Sequence, residues 1–186
     1  MFTIKQPSTI IFGKYSSRDY KIPKDYLVVT SSGAKSRNWL EYVGLTDSYI
    51  YDNVEPNPSI ETTEQIMSEF SNSNFSNVIG IGGGSVLDVA KFVAYKMKKI
   101  KIMIPTTFGS GSEVTRIAVL KVNGKKQSFH DDNIFADISI VDPYFIHNTP
   151  DVIIKNSAID ACAQCTEGYD SKTSNAYTKF LCQKAF

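Results

Sequence analysis

Apolar positions recur along the chain at two spacings that take turns. Residues 26–30 (YLVVT) form a short β-branched run, followed by Ser31, Ser32 and Gly33 and then a helix-compatible segment to about Val43. That order predicts a strand, a tight turn and a helix. Residues 48–51 repeat the strand signal, Glu55-Pro56-Asn57-Pro58 breaks the chain, and Ile60, Met67 and Phe70 share one helical face. Residues 77–81 (NVIGI) read as a buried strand running directly into Gly82-Gly83-Gly84-Ser85. Val86, Val89, Ala90, Val93 and Ala94 then recur at the spacing of a helix with one apolar face. Residues 101–104 form a further strand, closed by Pro105. Strands alternating with helices in this way predict an α/β fold, a parallel sheet covered on both faces.

The alternation then stops. Residues 115–122 and 125–129 flank Asn123-Gly124, a type I′ hairpin signal, so an antiparallel excursion is expected. Residues 138–141 are another strand. Thr149-Pro150 reads as an N-cap with proline at N1, opening a long helix through about Glu167, and residues 177–185 are again helical. An amphipathic helix in that position is expected to continue into, or dock against, something further.

Composition narrows the classes. With 20 Lys+Arg against 19 Asp+Glu the net charge is +1, so no overall field draws the chain to nucleic acid or to an acidic membrane, and an anion must be held by a local site. No apolar run approaches the ~20 residues that span a bilayer, and the first residues lack the layout of a signal peptide, so a cytoplasmic protein is expected. At ~150 residues per domain the length suffices for a core without staples. Cys162, Cys165 and Cys182 are odd in number and clustered, which is not a disulfide framework. Cys162-x-x-Cys165 lies in a helical pattern without a second pair, and buried, inert thiols are expected rather than a zinc or redox site.

Two stretches carry candidate chemistry. Gly82-Gly83-Gly84-Ser85 joins a buried strand to a helix. Three glycines let backbone N–H groups approach a ligand at the positive end of that helix, as a phosphate cradle requires. A tight turn whose glycines serve only positive φ is the competing reading. The usual GxGxxG and GxxxxGK[ST] patterns are absent. Residues 105–115 (PTTFGSGSEVT) form a hydroxyl- and glycine-rich loop after another strand, at the edge where open α/β sheets bind ligands.

Together, GGGSVLDVAK (residues 82–91) and PTTFGSGSEVT resemble the two cofactor signatures of the iron-containing, or group III, alcohol dehydrogenases. KKQSFH (125–130), ISIVDP (138–143) and DACAQCTEGY (160–169) resemble further segments of that family. The resemblance implies a Rossmann-like parallel sheet flanked by helices, with the antiparallel hairpin and the start of an α-helical domain. Residues 1–150 would be the dinucleotide-binding domain, and residues 151–186 the first helices of a truncated all-helical metal and substrate domain. It further implies that Gly82, Gly83, Gly84 and Ser85 hold the pyrophosphate, with Asp88 near the nicotinamide end. Thr106, Thr107 and Ser112 would line the adenosine and ribose side, Lys126 would reach the nicotinamide ribose, and Asp160 would be a ligand to a divalent metal, iron or zinc.

The chain departs from the family pattern in three places. Family members that use NAD place an aspartate after the first strand; here Ser31, Ser32 and Lys35 stand there, a set that accepts a 2′-phosphate, so NADP is preferred over NAD. The family's Asp-x-x-x-His has Gln164 as its fifth residue, and an amide is a weak donor to a first-row metal. The remaining metal-binding histidines of the family have no counterpart within 186 residues, and His130 and His147 read as surface or capping residues.

The expected function is hydride transfer between NAD(P)H and a small alcohol or aldehyde, in a homodimer or larger assembly. The alternatives are a metal-independent reductase in which Gln164 donates to the substrate carbonyl, with Asp160 beside it, and a non-catalytic NAD(P)-binding module.

Overall fold

The computed structural model describes residues 1–46, 49–147 and 149–186. In chain order the elements are β1 (Thr9–Phe12), α1 (Ser16–Asp19), β2 (Tyr26–Val29), α2 (Ser32–Ser36), α3 (Trp39–Val43), β3 (Tyr49–Tyr51), α4 (Ile60–Glu69), β4 (Asn77–Gly82), α5 (Gly84–Met97), β5 (Ile100–Pro105), β6 (Ile117–Val122), β7 (Lys125–His130), β8 (Ile138–Val141), α6 (Asp151–Asp170) and α7 (Ala176–Ala185). Six strands pair in parallel in the order β1-β8-β5-β4-β2-β3. The hairpin β6–β7 stands apart from this sheet. Asn123 and Gly124 both have positive φ, 51° and 77°, as the expected turn requires.

The parallel sheet is central because its strands are apolar on both sides. All six residues of β4 are buried. Leu27, Val29, Val78 and Met103 face a core shared with Leu87, Ala90 and Val93 of α5, Ile66 of α4 and Leu120 of the hairpin. Val28, Ile79, Ile81, Ile104 and Ile140 face the opposite layer, built from Trp39, Leu40 and Phe145. Each buried aliphatic side chain contributes roughly 1.5–3 kcal/mol, so the two layers fix the register of the strands and hence the place of the turns at their carboxyl ends.

Four expectations change. The helix predicted after Gly33 is interrupted: α2 runs Ser32–Ser36, and Asn38, at φ 56°, precedes a separate α3. Thr149 does not cap α6, because its hydroxyl donates to the Phe145 carbonyl at 2.7 Å and Pro150 takes the cap position. Strand β1, which the hydropathy pattern did not flag, pairs in parallel with β8; it is an edge strand with exposed Ile10 and Phe12. The cysteines are not buried: Cys162 is exposed and Cys165 and Cys182 are half-buried, all three as free thiols, because no residue of α6 or α7 is buried. Ser48, expected to open the second of the predicted strands, which is β3, lies outside the described residues. Among the described residues no helix is long and apolar enough to cross a membrane.

Candidate functional site

The two motifs leave the sheet side by side, because Gly82 and Pro105 are register partners on adjacent strands and the Thr106 N–H donates to the Gly82 carbonyl at 3.0 Å. None of Gly82, Gly83 and Gly84 has positive φ, so the tight-turn reading of the triglycine fails. What these glycines supply is room. A Cβ on Gly83 would stand 3.2 Å from Thr107 Oγ1, and one on Gly84 would stand 2.9 Å from Ser110 Cβ. Helix α5 starts at Gly84, two residues before Val86, and the first N–H groups of a helix have no partner within it. Those of Gly84 and Ser85 are therefore left at the positive end of a 14-residue helix, beside a loop of hydroxyls.

A cleft of about 790 Å³ opens at this point. Its walls are Gly84, Ser85 and Asp88 from α5, Thr107, Ser110 and Ser112 from the loop after β5, Lys121 and Lys126 from the hairpin, and Asp160 and Gln164 from α6. Helix α6 reaches the loop where Gly109 adopts φ 107°; a Cβ there would meet the Ser157 carbonyl at 2.6 Å. Asp160 and Gln164 are exposed on the side of α6 that lines the cleft. Lys121 and Lys126 are register partners across the hairpin, so two like charges stand opposite each other and an anion between them relieves their repulsion.

Asp88 joins the walls. Its Oδ1 accepts from Ser112 Oγ at 2.6 Å and its Oδ2 from the Val119 N–H at 3.1 Å, with Lys91 Nζ 3.6 Å from Oδ1. Burial pushes the Asp88 carboxyl above its ordinary value against the pull of Lys91 and these hydrogen bonds. Burial likewise lowers Lys91, with Asp88 opposing, and raises Glu113.

The cleft brings together Gly84, Ser85, Asp88, Thr107, Ser112, Lys126, Asp160 and Gln164 of the residues singled out from sequence. Thr106 is buried, and Thr106, Gly82 and Gly83 do not line it. Ser31, Ser32 and Lys35 lie outside it, after β2; Lys35 Nζ is 3.9 Å from Asp52. His130 and His147 do not line it. Asn57 and Pro58 do, although the hydropathy pattern marks them only as a chain break. The Asn57 N–H donates to Ser85 Oγ at 3.3 Å, the Pro58 carbonyl accepts from the Lys121 N–H at 2.8 Å, and Glu55 receives the Ser59 N–H at 2.9 Å. A Pro-Asn-Pro run just ahead of a capped helix was the available signal.

Sheet order and cleft together define an open α/β protein with a glycine-rich turn at the carboxyl edge of its strands. Over residues 7–143 the sequence matches the family described as iron-containing alcohol dehydrogenase, and the chain belongs to that family. It is 35% identical over 144 residues to long-chain-alcohol dehydrogenase 1 of Geobacillus thermodenitrificans, covering 66% of this chain and 36% of that protein. It is 27% identical to the NADPH-dependent aldehyde reductase YqhD of Escherichia coli, covering 94% of this chain and 54% of the reductase. A solved structure of sulfoacetaldehyde reductase from Bifidobacterium kashiwanohense in complex with NAD+ superposes with a TM-score of 0.91 at 25% identity, over 98% of this chain and 57% of that one. The chain thus spans between about a third and somewhat over half of the length of these relatives.

A dinucleotide fits the residues present, since the space beside Gly83 and Gly84 is one that side chains would fill and the cleft also offers the hydroxyls of Ser85, Thr107 and Ser110 and the ammonium groups of Lys121 and Lys126 as donors. A metal fits less well. Asp160 and Gln164 provide one carboxylate and one neutral amide, and among the described residues no three His, Cys, Asp or Glu side chains converge. These donors alone do not make a centre for iron or zinc.

Proposed function

We propose that the chain is the nucleotide-binding portion of an NAD(P)H-dependent alcohol dehydrogenase or aldehyde reductase acting on a small alcohol or aldehyde. The observation that carries this reading is the approach of Gly83 and Gly84 to Thr107 and Ser110, which makes one cradle of two separate motifs. In this reading residues 1–150 form the dinucleotide-binding domain, and residues 151–186 open the helical domain that carries Asp160 and Gln164. The N–H groups at the start of α5 and the Ser85 hydroxyl hold the pyrophosphate, Thr107 and Ser112 line the adenosine and ribose side, and Lys126 reaches the ribose on the nicotinamide side. A bound reduced nicotinamide supplies hydride to a carbonyl carbon. Asp160 and Gln164, which line the cleft from α6, would hold the substrate carbonyl.

NADP is the preferred coenzyme. No carboxylate follows β2, and Asp52 at the end of β3 is paired with Lys35, so the groups that could receive a 2′-phosphate are two serines and a lysine. The pair is exposed and weak, which leaves Lys35 free to turn to a phosphate.

The donor set at α6 favours a second reading for the carbonyl step. The Gln164 amide N–H donates to the substrate oxygen, as neutral donors do in sites that stabilise a developing oxyanion. The decisive measurement is titration of the full chain with NADPH and NADH, followed by the fluorescence of the bound coenzyme. Saturable binding of NADPH ahead of NADH supports the assignment, and absence of binding by folded protein overturns it. Aldehyde reduction that survives exhaustive chelation selects the Gln164 reading, and binding without turnover leaves a nucleotide-binding module.

A further inference from the structure

Lys91 is the largest charged side chain in the interior and makes no contact with solvent. Burial of an ammonium is strongly unfavourable unless it is paired, and the apolar face of α5 already packs through Val86, Leu87, Ala90 and Val93. An alkyl side chain would fill the same slot. What the ammonium adds is donors: its Nζ donates to the Thr115 carbonyl at 3.2 Å and to the Ile117 carbonyl, and lies 3.5 Å from Thr115 Oγ1.

We propose that Lys91 is a positioning residue of the coenzyme cleft: with Asp88, one helical turn earlier, it clamps residues 112–119 to α5 and so sets the wall that the nicotinamide nucleotide meets. The clamp has two jaws. Asp88 accepts from Ser112 Oγ and the Val119 N–H at the ends of the segment, and Lys91 takes the Thr115 and Ile117 carbonyls in its middle. Thr115, Ile117 and Val119 are spaced by two, present one side of an extended segment, and all three line the cleft. Their backbone is thereby held from behind by α5, which also carries the glycine turn. The wall and the phosphate cradle cannot shift relative to each other while both jaws hold. The proposal rests on the coenzyme reading above.

The test uses the full chain with Lys91→Met, which keeps length and apolarity but removes the donors, and Lys91→Gln, whose shorter amide cannot span both carbonyls. Two quantities are measured on each: amide hydrogen exchange of residues 112–119 and the Kd for NADPH by coenzyme fluorescence. Val93→Ala, a buried change on the same helix away from the cleft, serves as the control. The clamp predicts at least tenfold faster exchange in residues 112–119 and at least a tenfold rise in Kd for the Lys91 variants. The control should lower the urea midpoint without altering Kd. Folded Lys91 variants with wild-type exchange and a Kd within twofold of wild type overturn the proposal, as does a rise in Kd equal to that of the control. Should Lys91→Met fail to fold, Lys91→Gln decides by the same thresholds. Exchange requires no coenzyme, so a wild-type chain that binds neither NADPH nor NADH defeats the coenzyme reading while the clamp itself is still read from the exchange rates.

Discussion

Ser112 Oγ donates to Asp88 Oδ1 across 2.6 Å, and that contact fixes the hydroxyl-rich loop after β5 to α5. The two residues belong to different motifs, lie 24 positions apart, and are both largely buried. Removing the donor leaves a buried carboxylate short of one hydrogen bond. Ser112→Ala is therefore expected to cost about 1.5–3 kcal/mol, measured as a lower urea midpoint with unchanged slope.

The glycines of the turn and of the strand are expected to respond differently. Gly80→Ala drives a methyl to 2.7 Å from Ala90 Cβ and 2.8 Å from Met103 Sδ, deep in the core, and should destabilise by about 1–3 kcal/mol. Gly84→Ala meets Ser110 at 2.9 Å beside the cleft. Its larger effect should be on NADPH binding, with at least a tenfold rise in Kd at little cost in thermal midpoint. Equal losses of binding in the two variants would sink the cradle.

Coenzyme preference should reverse at the end of β2. Ser31→Asp places a carboxylate where a 2′-phosphate is expected and should weaken NADPH at least tenfold while leaving NADH unchanged or tighter. Parallel titrations with the two coenzymes read this directly, and equal effects on both would remove Ser31 from the site.

Acid stability should depend on Asp142. This buried carboxylate accepts from Ser17 Oγ at 2.6 Å, from the N–H groups of Tyr15 and Tyr144 at 3.0 Å each, and from the Tyr42 hydroxyl at 3.1 Å. Burial works against its ionisation, but the hydrogen bonds from Ser17, Tyr144 and Tyr15 outweigh it and hold the carboxyl below its ordinary value. Tyr42, pushed up to about 12 by burial and then by Asp142, remains a donor throughout. A pKa depressed on folding gives stability that is fully present above the unfolded value of ~3.9 and is lost as pH falls through the folded one. Asp142→Asn should lower stability at neutral pH and flatten its loss below pH ~4, as read from urea midpoints across that range.

Gly109 sets how closely α6 approaches the cleft. With φ at 107° and the Ser157 carbonyl 2.6 Å from where a methyl would stand, Gly109→Ala is strained in backbone and in space. The expected result is a protein that retains its sheet but exchanges the amides of α6 faster.

The parallel sheet, the hairpin and the glycine turn at the carboxyl edge of β4 are legible in the order of amino acids, because each is written in local terms. A strand buried on both faces must be apolar throughout, as in β4; a type I′ turn demands residues that tolerate positive φ, as Asn123 and Gly124 do; and a turn packed against a neighbouring loop needs backbone without side chains, as at Gly83 and Gly84. The remaining features exist only once the chain is folded. The buried partners of Lys91 are set only when Thr115 and Ile117 arrive from more than twenty residues away to receive its ammonium, and Asn57 reads as a chain break until Ser85 meets it. Periodicity records whether a position faces core or solvent, but which polar groups end up as partners is settled only when elements distant in the chain pack together.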